Sequence, residues 1–574
     1  MSFSAAAVTI SIPEQARRRK KFPPAYLDAP ARTSGCWSSG ADVNSPWSDL
    51  SVVAGTRSLA FARDVAGRER VSRAQELPAM GSMRFLVTDR ERLSADAAQR
   101  AALFGMDDIP VPSDVAWEDD LLVVSITDLQ SGALHVPLLV EGHGELMLAT
   151  ASLMQRERPY LLEIELARGI INRIRNQVAA WQGMGLVVPR PIASRLTSLE
   201  RQFAQAATRQ HEPPEAAPLA SDAIREACDL TIALGESYTE QALAVRRRHS
   251  PTLNSLLGIR LGNTVPREED SQQLAATFNT AGVSFAWPTI EPQEGVRDWT
   301  LSEAQIEWSE RHDLRICGGP LLVLDDSGVP DWLSEWKNDF DTLLSFLIDH
   351  VRTVVNRYRN QVHLWMVTAR TNVGRLFDLD DDQLTRMIVR SIEVTRELDP
   401  RAPIVVAIDQ PWAEYAARSE AAASPLQIAD ALVRAGLGVA GMAMEVNAGY
   451  LPHGTAHRTL LEYSRQLDRW SLLGMPLLVL VSAPSAAAQG RSADQPSVLP
   501  AGPTGELSPR SQADWVRRYV PLMLAKNCVQ AIFWNQLQDE PDDRFPHGGL
   551  FDADGNAKLA LGELRTIRER YLAP

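Results

Sequence analysis

The fold class predicted is α/β: a (β/α)8 barrel over residues 253–574, preceded by a small β-sandwich-like domain and a helical segment. Three observations carry that prediction. Short apolar runs recur eight times after Asn254. The stretches between them are helical in period, as in Leu343, Leu344, Phe346, Leu347, Val351, Val354 and Val355. Alternating strands and helices are the pattern of βα units, and eight of them in roughly 320 residues match a closed parallel barrel.

The strands are read as Leu256–Leu261, Gly282–Trp287, Leu314–Leu324, Val362–Arg370, Ile404–Asp409, Val439–Glu445, Leu477–Ser482 and Val529–Trp534. Upstream, residues 1–82 are rich in Ala, Ser, Arg and Pro, show no sustained period, and read as a flexible leader. Ordered patterning opens at Met83, so both Met1 and Met83 stand as candidate start sites. Residues 83–150 alternate short β-like runs such as Leu121–Ile126 with turns at Gly132, Gly142 and Gly144, which predicts a small β domain, carbohydrate-binding-like by analogy. Residues 151–252 switch to a helical period, with Leu161, Ile164, Ile170, Ile171, Ile174 and Val178 on one face. Further helices are expected over Ser194–Arg209 and Ser221–Arg247, the His211–Pro218 stretch breaking the chain between them.

Composition narrows the function classes. The 574 residues are 45% hydrophobic and 23% charged, enough to bury a substantial core. A formal charge of −14 argues against nucleic acid, whose phosphates are bound by Lys and Arg. The basic run Arg17–Lys21 reads as a solvated cluster. Four scattered cysteines, Cys36, Cys228, Cys317 and Cys528, support neither a metal cluster nor a disulfide framework. No cofactor is called for. No apolar run reaches the roughly 18 residues that a membrane span requires. The weakly apolar Ala5–Ile12 precedes the basic run, unlike a signal peptide, and a cytoplasmic location is the default expectation.

Several motifs fall in order along the barrel. They are Phe278-Asn279, Trp287, Ile290-Glu291-Pro292 with Gly295, Pro330-Asp331-Trp332-Leu333, Trp365 on the fourth strand, and Val529–Trp534 with Gly549-Leu550-Phe551-Asp552 and Lys558. This ordered set resembles glycoside hydrolase family 10, the xylanases. The resemblance implies a TIM barrel and O-glycosyl hydrolysis of a polysaccharide or oligosaccharide. In that family an acid/base glutamate ends the fourth strand and a nucleophile ends the seventh. Laying the family's W-D-V-V-N-E on Trp365–Arg370 puts Ala369 at the asparagine and Arg370 at the acid. Arginine stays protonated at any working pH and cannot donate that proton. On the seventh strand Val481 falls at the nucleophile, and neighbouring Ser482 has no evident activating base.

Polar residues at strand C-terminal ends remain candidates, because barrel sites are built there. By position these are Asp325, Asp326, Arg370, Asp409, Glu445 and Asn447, with Trp287, Trp412 and Trp534 as stacking surfaces for a pyranose ring. Three readings stay open. The first is a catalytically degenerate barrel that binds a carbohydrate or a protein partner. The second is an active β-glycanase with a relocated pair, Glu445 and Asp409. The third is a structural or assembly protein whose partner contacts lie in the N-terminal β and helical regions. An arginine that merely pairs with Glu445 or Asp409 to close the barrel is the bland alternative for the mouth.

Overall fold

The computed structural model describes residues 81–126, 131–249, 251–418, 423–488, 497–499, 506–540 and 544–572. The leader expected over residues 1–82 lies almost wholly outside them, as does Cys36. The first strand already runs at Gly81, two residues ahead of the expected start.

Eight strands form two antiparallel-rich sheets at the N-terminal side. They are β1 (Gly81–Leu86), β2 (Ala102–Phe104), β3 (Pro110–Val111), β4 (Ser113–Glu118), β5 (Leu121–Ile126), β6 (Ala133–Val140), β7 (Gly144–Ala149) and β8 (Tyr160–Leu161), with the short helix α1 (Ala97–Arg100) after β1. The sheet orders are β4-β5-β1-β8 and β3-β2-β6-β7. Three long helices follow: α2 (Leu162–Gly183), α3 (Arg190–Thr208) and α4 (Pro213–His249). The inward residues of both sheets, among them Met83, Phe85, Val124, Leu134, Val136 and Leu138, join Ile164, Ile170 and Ile174 of α2 and Ile224 and Leu230 of α4 in one apolar cluster. The boundary expected near residue 150 therefore runs through a shared core. The α4 helix also starts eight residues earlier than expected. Pro213 and Pro214 sit in its first turn, where the missing N–H groups cost nothing because no carbonyl awaits them.

The barrel is closed. Its strands are β9 (Leu256–Arg260), β10 (Thr280–Val283), β11 (Arg315–Gly318), β13 (Leu364–Ala369), β14 (Ile404–Asp409), β15 (Gly441–Asn447), β17 (Leu477–Ser482) and β19 (Val529–Trp534), with short β12 (Leu322–Val323), β16 (Tyr450–Leu451) and β18 (Ser497–Val498) between them. All eight barrel strands are parallel; β19 pairs with β9 and β11 with β13, which completes the ring. Around them lie α5 (Glu268–Thr277), α6 (Trp287–Ile290), α7 (Thr300–Arg311), α8 (Phe340–Tyr358), α9 (Asp381–Leu398), α10 (Pro425–Arg434), α11 (Leu460–Trp470), α12 (Pro509–Ala525) and α13 (Leu559–Tyr571).

Three expected strands coincide with observed ones residue for residue: Ile404–Asp409, Leu477–Ser482 and Val529–Trp534. Two do not. The second strand stops at Val283, and Trp287 opens α6 because Pro288 is preorganised for a first helical turn. The third ends at Gly318; Gly319 adopts a positive φ of 117°, and Pro320 has no N–H to continue a ladder.

Parity sorts the barrel residues into two layers. Leu364, Met366, Val405, Ala407, Ala443, Leu478, Leu480, Ala531 and Phe533 fill the lumen with Cys317. Trp365, Val406, Ile408, Met444, Val446, Val479, Val481, Ile532 and Trp534 face the helices.

Candidate functional site at the barrel mouth

Continuing each inward row toward the C-terminal end of its strand leads from apolar to polar side chains. Leu256 and Gly258 lead to Arg260, Val405 and Ala407 to Asp409, Ala443 to Glu445 and Asn447, Leu478 and Leu480 to Ser482, and Ala531 and Phe533 to Asn535. A polar layer therefore caps the lumen, and most of its members are bonded to one another. The Ser482 hydroxyl donates to Asn447 Oδ1 at 2.7 Å, and Asn535 Nδ2 donates to the same oxygen at 2.7 Å. Asn447 Nδ2 donates to Glu445 Oε1 at 2.9 Å, and Arg260 Nη1 donates to Asn535 Oδ1 at 3.3 Å.

Asp409 sits beside Glu445 on the next strand, their Cα atoms paired in register. Its backbone is clamped by Asn372, which accepts from the Asp409 N–H and donates to its carbonyl, both at 2.8 Å. Arg544 Nη2 reaches the carboxyl Oδ2 at 3.5 Å, while Oδ1 has no hydrogen-bond partner among the described residues. Only 1% of Asp409 is exposed. Burial pushes this carboxyl well above the usual carboxylate range and the charge of Glu445 adds to the rise; Arg370 and Arg260 pull the other way.

Arg370 is buried with a left-handed φ of 58°. Its partner is neither Asp409 nor Glu445, the two acids expected for a bland closure. Its Nε lies 2.6 Å from Asp325 Oδ2, an ion pair whose angle does not make a hydrogen bond. The other Asp325 oxygen accepts from Ser327 Oγ at 2.7 Å. Asp326 is exposed and accepts the Phe377 N–H at 2.8 Å, which fastens a loop.

The three tryptophans put forward as sugar platforms are buried with their surfaces engaged. Trp287 stacks on His350 at 4.6 Å and donates to Glu291. Trp412 lies under the Arg458 guanidinium at 4.8 Å and meets the edge of Tyr463. Trp534 donates to the Gly548 carbonyl at 2.8 Å and packs edge-on against Trp515. Val481, laid on the nucleophile position, faces the helix layer; the side chain that β17 presents to the mouth is Ser482. An offset of one residue flips a strand side chain to the other face, and that offset is what separates the two readings.

The structure thus brings Asp409, Glu445 and Asn447 together, keeps Arg370 with Asp325 at one side, and leaves Asp326, Trp287, Trp412 and Trp534 out of the polar layer. Sequence reasoning missed Arg260, Asn372, Asn535 and Arg544. The inward rows Leu256-Gly258-Arg260 and Ala531-Phe533-Asn535 were the available signal for two of them. Among the described residues no group of three His, Cys, Asp or Glu side chains is placed to hold a metal ion.

Residues 253–372 match the model of glycosyl hydrolase family 10. That stretch runs from before β9 to just past β13 and Arg370. The chain is similar to endo-1,4-beta-xylanase B of Thermotoga neapolitana, 32% identical over 123 residues, which is 20% of this chain and 34% of that one. It is also similar to endo-1,4-beta-xylanase 2 of Claviceps purpurea, 26% identical over 155 residues, covering 25% of this chain and 45% of that one. The chain therefore spans less than half the length of either relative. Among solved structures, native xylanase 10B from Thermotoga maritima aligns over 56% of this chain and 98% of its own, with 18% identity and a TM-score of 0.42.

Proposed function

Starting from a barrel of the glycosyl hydrolase family 10 kind, we propose that this protein is a non-hydrolytic member of that lineage, in which the mouth serves as a bonded polar plug and the barrel acts in binding. The observation that carries the reading is the mouth network itself. Retaining hydrolysis requires two carboxyl groups about 5 Å apart that both reach the sugar, and inverting hydrolysis requires about 6.5–9.5 Å with room for a water. Here Arg370 stands at the acid position and is paired with Asp325. The β17 mouth residue is a serine bonded to Asn447, and Glu445 is held by Asn447 at 4% exposure. A polysaccharide of the xylan type is the ligand class that the xylanase relatives bring to this proposal.

One observation favours the second reading. Asp409 and Glu445 are adjacent, and burial holds the Asp409 carboxyl toward its protonated form, as the acid of a glycosidase must be held. Reducing-sugar release from xylan and from β-glucan by wild type and Glu445→Gln separates the two. Neither protein is expected to release sugar above the buffer blank. Release by wild type that disappears in Glu445→Gln would overturn the proposal and assign the pair as catalytic. Retarded migration of the wild type in a native gel containing xylan, without release, is the expected signature of carbohydrate binding. Unretarded migration would move the binding role from glycan to a protein partner.

A further inference from the structure

A cavity lies outside the bonded polar layer of the mouth, where the β6–β7 turn and α4 meet the segment before α11 and the α12 helix, with Ala483 and Pro484, just past Ser482, in its lining. Its volume is about 130 Å³, well above the ~10–15 Å³ that one water needs. Its charged lining is lopsided. Arg458 is 2% exposed, and although one of its terminal nitrogens is ion-paired with Glu414, its Nε–H has no acceptor among the described residues. Arg518 is exposed at the rim and makes no hydrogen bond or ion pair among the described residues. The only acid among the described lining residues, Asp514, is taken by Arg517.

Two further features describe what such a cavity accepts. His143 is held below the ordinary imidazole range, by burial first and by Arg518 and Arg225 in addition, despite its contact with Asp229 at 3.1 Å. Asp229 thus stands beside His143 from outside the cavity, and within the lining Asp514 is the one acid among the described residues. One wall is aromatic: Trp515 and Tyr519 stack at 4.9 Å with an interplanar angle of 12°. Positive charge at the rim and floor beside an aromatic wall matches an anion carried on a planar body.

We propose that this cavity is a binding site for a small aromatic carboxylate, with Arg518 as the capturing cation and the Trp515–Tyr519 wall packing the ring. The site is independent of whether the barrel hydrolyses glycans. Isothermal titration of the full chain with benzoate, and separately with inorganic phosphate, tests it on wild type, Arg518→Gln and the remote surface variant Arg390→Gln. Arg518 and Arg390 are both exposed, so neither substitution endangers the fold. Benzoate is expected to bind wild type and Arg390→Gln alike, to quench tryptophan fluorescence, and to bind Arg518→Gln roughly tenfold more weakly, the usual loss for a charge-assisted hydrogen bond. Absence of benzoate binding, binding of phosphate in its place, or equal affinity in Arg518→Gln would each overturn the proposal.

Discussion

Asp409→Asn is expected to be more stable than the wild type near neutral pH and to lose most of that advantage near pH 4. In the unfolded chain this carboxyl ionises around 3.8, whereas in the folded protein burial and Glu445 hold it well above that value. Between those two values the folded state keeps a proton that the unfolded state has released. Stability therefore falls as pH rises through the window, by up to about 1.4 kcal/mol for each pH unit, and is fully present only below the unfolded value. Asparagine removes the titration and supplies a donor beside Glu445. Urea midpoints of the two proteins at intervals from pH 4 to pH 8 check this, and parallel curves across the range would refute it. The variant also bears on chemistry, since an acid that acts as proton donor cannot be replaced by an amide without loss.

Trp365→Ala is expected to cost about 3–5 kcal/mol, the usual range for emptying a buried aromatic site. Trp365 has no exposed surface, faces the helix layer from β13, and lies 5.9 Å from Phe285 in a tilted contact. Its Nε1 donates to Asp399 Oδ2 at 3.0 Å, which fixes the end of α9 against the strand. Trp365→Phe keeps most of the volume but orphans that carboxylate oxygen, so a smaller cost of about 1–3 kcal/mol is expected. Denaturant unfolding of both variants gives the ranking directly. An alanine variant within about 0.5 kcal/mol of wild type, the spread of ordinary surface changes, would show that the site collapses around the lost ring.

These two positions illustrate what the sequence did and did not reveal. The runs at Ile404, Leu477 and Val529 are buried on both faces and bounded by turns, so the apolar run and the strand coincide. The runs at Gly282 and Leu314 continue past the strand ends because apolar residues there serve α6 and β12, and only Pro288 and Gly319-Pro320 mark the breaks. At the mouth, Asp409, Glu445 and Asn447 were legible because strand ends in a barrel converge. The Arg370–Asp325 pair was not, because Asp325 lies in the loop after β12, whose path across the mouth no strand pattern fixes. Arg260 and Asn535 are 275 residues apart and meet only because β19 closes on β9. The choice between Val481 and Ser482 depends on strand parity, which a motif alignment does not carry.

The shared core of the N-terminal sheets ties them to one flank of the barrel. Leu461, on the first turn of the barrel helix α11, belongs to the apolar cluster of β1 to α4, and Tyr238 packs against both cores. Arg173 of α2 is ion-paired with Glu462 at 3.3 Å, and Arg465 reaches Asp108 at 3.4 Å. Appended modules that are exchanged between enzymes sit behind linkers with few contacts across them. Here the chain before Leu253 supplies part of the packing of α11, so it cannot be traded for another module without redesigning the barrel's own flank. Removing the chain before Leu253 is expected to bare Leu461 and to take Arg173 from Glu462.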